Sequence, residues 1–569
     1  MNVILRSLLL AVFAVQATLQ LFAQESGDRN QRAHIQVYLD KDKIQLQIKQ
    51  LVEAMGSGKV LNFDGDFIFS GKVLPEFYKN RNYMPAWGNY TVLTAAIEAL
   101  ELAWQDGLNP DDYHAASIRK VVEQLEESLG SQHIDYQKVA CFDLLVTDAL
   151  LLYAYHLLEG KVDPKSLDPI WNYSFREIYA DAPARLQQAI TVGNLGEALH
   201  ALRPQIPVYE SYRQLLVQYR QLEQEGGWKS ISGGKTIKPG ESDERIPTIR
   251  QRLAKTGDLS TGADQQSLVY DEGLQADLKH FQRLNGLDDD GVIGPGTLRL
   301  LNQSASERVA KLRVNMERAR WVVANLSNRF IVVNIPAYRA YYVQDKSVRF
   351  ITKVQVGKPY SKTPVFKSKL GYIEFNPTWT VPRSIIRSSI IPHLKKDPAY
   401  LGKNHFDLLD MAGNKLDPSG IDFSGANASN FPYMVRQQPG KWNSLGVVKF
   451  IFPNDYAVYL HDTPSKALFE RSERAFSHGC IRTQNPLQLA ELLLEGTQWN
   501  KAKIDALIQS GETKRINPPA ETDVLLLYWT VGYVEGKELG FFNDVYNLDG
   551  KVLAQLNKKT PTVAKRKVY

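Results

Sequence analysis

The apolar positions change period along the chain, and those changes divide it. From about residue 31 to 225 they recur every three to four residues, the spacing of amphipathic helices. Val92–Gln105 is one such stretch, ended by Asp106-Gly107-Leu108-Asn109-Pro110. A second runs from about Tyr136 to Glu159 and is apolar nearly all round, with Gly160 as its C-cap and Pro164 just beyond. Trp104, Tyr153, Tyr155 and His156 fall at helical spacing, which predicts core packing rather than a cofactor box. Glycines and prolines from Gly226 to Gly240 make a joint. Beyond it, Ile249, Leu253, Leu278, Phe281 and Leu298 outline a small helical module over about 243–303. Ser306–Ala324 reads as a helical connector.

The period then drops to two. Phe330–Ile335, Arg339–Gln344, Phe350–Val356, Gly371–Phe375 and Trp379–Pro382 read as strands. Lys449–Phe452 and Tyr456–Leu460 predict a hairpin that delivers His461 to a strand end. Asn485 is placed to cap a helix with Pro486 at its first position. Val524–Val534 and Leu539–Val545 predict a closing strand pair, an extension over about 522–556. Between 388 and 449 lies a long irregular insertion rich in Pro, Gly, Asn and Asp; loops of that length are commonly lids. Within it Tyr433, Arg436 and Trp442 suit gripping a charged peptide against an apolar wall. The pattern predicts an α+β multidomain protein: a helical scaffold domain, a small helical module, and a β-rich domain over 329–510 that carries the lid insertion.

Charge and cysteine usage narrow the class. The formal charge of +6 over 569 residues is small and spread out, with no basic stripe interleaved with aromatics, so no nucleic acid partner is expected. In residues 1–23, Arg6 precedes the apolar run Leu8–Val15, with small residues at Ala17 and Ala23: an export signal, cleaved or kept as an anchor. No later stretch reads as a membrane span, so membrane contact is expected through the N-terminus alone. Export permits a disulfide between Cys141 and Cys480, the only two cysteines, but the helical setting of Cys141 predicts a free, buried thiol. Asp288-Asp289-Asp290 lacks the alternating ligands of a calcium loop and reads as a turn.

Chemistry concentrates in Phe476-Ser477-His478-Gly479-Cys480-Ile481-Arg482. In an extended chain His478 and Cys480 share one side, with Gly479 adding no bulk between them. An imidazole there lowers a thiol pKa and favours the nucleophilic thiolate. Arg482 falls on the same side, suited to steadying a thiolate, an oxyanion or a substrate carboxylate. The competing readings are an inert buried cysteine and a zinc site of His461, His478 and Cys480, perhaps with Asp462, although His-Gly-Cys is tighter than zinc-ligand spacings. A cysteine nucleophile with no metal or cofactor is the expectation.

Ser477-His478-Gly479-Cys480-Ile481-Arg482, with His461 fifteen residues before Ser477, resembles the signature of YkuD-type L,D-transpeptidases. The flanking order resembles the YcbB-like branch, through dispersed features such as Leu74-Pro75-Glu76-Phe77-Tyr78 in the scaffold. Phe281-Gln282-Arg283-Leu284-Asn285-Gly286-Leu287 and Asp290-Gly291-Val292-Ile293-Gly294-Pro295 resemble a peptidoglycan-binding module, apart from an extra loop over Thr256–Tyr270. The resemblance implies an exported envelope or periplasmic enzyme. Its partners would be peptidoglycan donor and acceptor stem peptides, with other cell-wall synthesis enzymes as further candidates. Cys480 would attack a stem peptide and pass the acyl group to a neighbour, giving a 3-3 cross-link. His478 would be the base, Arg482 the electrostatic stabiliser, and His461, Ser477 and Gly479 residues that shape the site. Carbapenems, as donor mimics, would acylate Cys480. Carboxypeptidase or endopeptidase trimming, a non-catalytic wall-binding scaffold and a metal-dependent hydrolase remain alternatives.

Overall fold

The structure, a computed structural model, describes residues 38–559 apart from 39, 64, 128–133, 168–170, 173–180, 323–326, 428 and 537. The expected signal or anchor over residues 1–23 lies outside the described residues.

The helical region packs around Tyr136–Glu159, whose side chains are buried on nearly every face. By length and composition this helix could cross a membrane, contrary to the expectation that no later stretch would, and 78% of its apolar window is packed inside the protein. It also buries two carboxylates that tie neighbouring segments to it. Asp143 accepts hydrogen bonds from the Tyr38 and Tyr78 hydroxyls and from the backbone N–H groups of Ala86 and Trp87. Asp148 accepts from the N–H groups of Phe69 and Ser70 and pairs with buried His114. Such bonds satisfy groups that burial would otherwise penalise.

The small module folds as Ile246–Thr256, Glu272–Leu284 and Pro295–Leu301 around a core that includes Ile249, Leu253, Leu278 and Phe281. Ala305–Val322, expected to be a connector, is instead a central helix buried almost all round. It carries charges into the interior: the Arg318 guanidinium bonds Asp549 and faces the rings of Trp171 and Tyr528, and Arg320 bonds Glu317. Scaffold, module and C-terminal segment all pack on it.

The β-rich region is one twelve-stranded sheet. Across it run Lys514–Ile516, Tyr372–Phe375, Val448–Ile451, Leu460–His461, Ile481–Thr483, Ser347–Gly357, Arg339–Gln344, Arg329–Asn334, Asp523–Leu527, Val365–Lys369 and Trp171–Asn172. Ala475–Ser477 pairs with Ser347–Gly357 off this path. Two sequence expectations need correction. The C-terminal segment does not supply a separate closing pair: Asp523–Leu527 lies inside the sheet, parallel to Arg329–Asn334 and buried at every position. Its run Val524-Leu525-Leu526-Leu527 is continuously apolar because both faces are covered. Only Val531–Val534 and Glu538–Phe541 form a hairpin of their own. Nor is the insertion irregular. Trp379–Thr380, Phe406–Leu409, Lys415–Leu416 and Met434–Gln437 make a four-stranded sheet over a separate core of Ile386, Ile390, Leu394, Leu401, Leu408 and Val435. The insertion is thus a small folded unit that begins near Trp379, earlier than the sequence suggested.

Candidate active site

His478, Gly479 and Cys480 form a bend between two short strands, Ala475–Ser477 and Ile481–Thr483. The segment is not extended, as its alternation was expected to make it. Gly479 has φ +123°, a region that side chains disfavour, so the glycine is required by the backbone rather than for lack of bulk. Ser477 closes the bend from within: its Oγ accepts from the Gly479 N–H at 3.1 Å and donates to the Cys480 carbonyl at 2.6 Å. Thr363 holds it from outside, donating to the Gly479 carbonyl at 2.7 Å while accepting from the Gly357 N–H. Tyr546 in turn accepts from the Thr363 N–H and donates to the Gly357 carbonyl. A C-terminal tyrosine therefore buttresses the bend through two intermediaries.

Beneath the bend runs a row of polar residues in register across six strands. Arg515, Glu374, Lys449, His461, Arg482 and Gln355 are successive cross-strand partners. Cross-strand neighbours sit close enough to interact directly. Arg515 bonds Glu374 at 2.7 Å, and an Arg482 Nη1–H donates to Gln355 at 3.2 Å. Arg482 Nε is buried without a partner. The Lys449 ammonium lies 4.3 Å from the centre of the Tyr459 ring.

Cys480 is half-buried and free of any disulfide, and its Sγ lies 3.8 Å from the Ala457 carbonyl. Burial pushes the thiol up, opposed by the Tyr459 N–H and side chain, then by Lys449 and Arg482. Burial also holds His478 below its usual range, helped by the charges of Lys358 and Arg482. The sequence expectation of an imidazole-lowered thiol pKa is thus reversed. Both shifts favour the uncharged forms, thiol and neutral imidazole, with desolvation the larger cause in each. His478 itself is exposed. His461 is buried and pushed down to about 3, by burial first and the Arg482 charge second. Its Nδ1 faces the Asp462 carbonyl, while the Asp462 carboxylate pairs with Lys466 and accepts from the Val447 N–H at 3.0 Å. Among the described residues His461, His478, Cys480 and Asp462 do not gather into a metal-binding group. Cys141, expected buried, is half-buried and also free of a disulfide.

The three insertion residues make their contacts within the insertion. Tyr433 packs edge-on against Phe431, Arg436 donates to Thr380 Oγ1 at 3.3 Å, and Trp442 stacks on His405 at 3.9 Å with 40% of its surface exposed. Sequence reasoning missed Tyr459, Lys449 and Thr363. Tyr459 was open to detection, since it stands two residues before His461 in the run Tyr456–Leu460 that reads as a strand. Lys449 and Thr363 reach the site only through strand pairing and a distant loop.

Residues 328–504 match the L,D-transpeptidase catalytic domain (YkuD), 242–301 match a domain described as "Putative peptidoglycan binding domain", and 72–216 match the Scaffold domain. A Haemophilus influenzae protein named "Putative L,D-transpeptidase" is 36% identical over 248 residues, covering 43% of this chain. That match spans half of the relative's own length. Among solved structures, an L,D-transpeptidase from Stackebrandtia nassauensis aligns at 14% identity over 53% of this chain and 97% of that one, with a TM-score of 0.21. One from Xylanimonas cellulosilytica aligns at 14% identity over 52% and 98%, with a TM-score of 0.17. Superpositions at those scores carry no weight. The sequence matches do: scaffold, peptidoglycan-binding and YkuD L,D-transpeptidase catalytic domains follow one another along the chain, and its matched part is similar to a relative named as an L,D-transpeptidase.

Proposed function

We propose that this protein is an exported peptidoglycan L,D-transpeptidase that forms 3-3 cross-links through a Cys480 thioester. The observation that carries the reading is a free, half-buried thiol on a braced bend, faced by two cations. Cys480 Sγ attacks the carbonyl of the third residue of a donor stem peptide as neutral His478 takes the thiol proton. Lys449 and Arg482 favour the sulfur's negative charge as it develops. Charge then moves to the carbonyl oxygen, which needs an N–H donor. Gly479 N–H is committed to Ser477, and Ile481 N–H donates to the Tyr459 carbonyl at 3.0 Å. The Cys480 N–H is the remaining backbone donor of the three, and the unpartnered Arg482 Nε is a second candidate. The C–N bond breaks, His478 returns the proton to the departing D-amino acid, and the thioester stays on Cys480. An amine on a neighbouring stem attacks the thioester and regenerates the thiol. The folded insertion following Trp379 is read as a lid that limits water at this stage.

Incubating the purified protein with tetrapeptide muropeptides and weighing the products tests the reading. Dimers are expected. Shortened stems alone would make the protein a carboxypeptidase, and unchanged substrate would make it a scaffold. Cys480→Ala is expected to abolish turnover with an unaltered circular dichroism spectrum; activity retained in that variant refutes the mechanism. His478→Ala is expected to slow acylation severely.

A further inference from the structure

A cleft distant in sequence from Cys480 lies where the scaffold helix Pro207–Gln224, the module helices and the hairpin Val531–Phe541 meet. It holds about 380 Å³ and opens to solvent. Two guanidiniums line it although both side chains are almost wholly withdrawn from water: Arg252 is 1% exposed and Arg308 is 2% exposed. Arg252 donates to the Leu301 carbonyl and to Thr256, and stacks 3.7 Å from the Trp228 ring. Arg308 spends one nitrogen on Asn285 Oδ1 at 2.8 Å and lies over the Phe541 ring at 4.2 Å. Its Nε and Nη1 have no hydrogen-bond partner among the described residues.

Neither arginine forms an ion pair among the described residues. The buried acid in the cleft, Asp258, accepts from the Thr256 hydroxyl at 2.5 Å. Burying two cations at one opening is expensive, and a single buried carboxylate, Asp258, offsets both. A guanidinium with unspent donors suits a carboxylate oxygen. The exposed amides of Gln214 and Gln218 stand at the rim, suited to an amide-bearing body beyond that carboxylate.

We infer that this cleft is a second binding site, for a carboxylate carried on an amide-bearing ligand, with Arg308 and Arg252 as the anion-binding pair. The choice of ligand rests on the proposed function: a stem peptide and a free acid sugar of the wall both present that chemistry. The site needs no reaction at Cys480, so binding is measured in the full-length Cys480→Ala protein, where turnover is absent.

Titration calorimetry with a tetrapeptide stem and, separately, with N-acetylmuramic acid distinguishes the two sources. N-acetylglucosamine, which has no carboxylate, is the control. At least one acid is expected to bind and the control is not. Arg308→Gln and, independently, Gln218→Trp are expected to weaken that binding about tenfold or more, the scale of losing one partner of a desolvated charge pair. Gln218 is exposed on its helix, so its replacement tests the cleft without touching the core should Arg308→Gln fail to fold. Absence of binding by both acids, or binding that Gln218→Trp leaves unchanged, overturns the inference. Failure of cross-linking by the wild-type protein would refute the proposed function while leaving this measurement intact.

Discussion

Replacing Ser477 by alanine tests whether the bend is what makes the thiol useful. Ser477 is 2% exposed and its hydroxyl closes two hydrogen bonds, one from the Gly479 N–H and one to the Cys480 carbonyl. Alanine deletes both and leaves a buried donor and acceptor without a polar partner. A net hydrogen bond is worth about 1 kcal/mol, and stranding a buried group adds about 1 kcal/mol or more, so the bend loses roughly 2–3 kcal/mol relative to looser forms. At about 1.4 kcal/mol per tenfold, the braced population falls on the order of thirtyfold or more. The Thr363 and Tyr546 bonds remain and keep the chain folded. In a Cys141→Ser background, the assay follows Cys480 acylation by a carbapenem through intact mass, with iodoacetamide as a probe that needs only an exposed thiolate. Acylation is expected to drop by about tenfold or more, and alkylation by far less, because only acylation needs a positioned oxyanion donor. An unchanged acylation rate would show that the Ser477 bonds do not position the nucleophile.

Lys449→Met removes a cation that favours the thiolate, so the pH profile of Cys480 alkylation is expected to shift to higher pH; an unshifted profile refutes the electrostatic role. His461 is neutral when folded down to about pH 3, whereas the unfolded chain binds its proton below about 6.5. Its contribution to stability is therefore fully present above about pH 6.5 and is lost as pH falls towards 3, by about 1.4 kcal/mol at pH 5.5. Denaturant midpoints of wild type and His461→Gln should diverge over that window, and parallel curves would refute the assignment. Tyr546→Phe removes the hydroxyl that braces Gly357 and Thr363, and slower acylation with an unchanged circular dichroism spectrum is expected.

The heptapeptide around Cys480 was legible because its chemistry is local: residue types and spacing stand whatever the fold. Its geometry was not, because one glycine at positive φ bends a segment that alternation alone reads as extended. Lys449 was invisible for a different reason. It stands beside His461 only through pairing of Val448–Ile451 with Leu460–His461, and pairing partners are set by the whole sheet. The insertion misled because its strands are two to four residues long and separated by turns, too short for a period to show. The helix Ala305–Val322 misled in the opposite sense. It reads as a connector, yet its arginines are buried against aromatic rings and carboxylates that come from elsewhere in the chain.

The position of Asp523–Leu527 between Arg329–Asn334 and Val365–Lys369 bears on how the protein comes into being. Some 188 residues separate Arg329–Asn334 from the strand that fills the gap, and 153 separate Val365–Lys369 from it. Until it arrives, two long strands present unsatisfied backbone edges of the kind that invite wrong pairing. Synthesis therefore has to run past Leu527 before the sheet that carries the thiol can close.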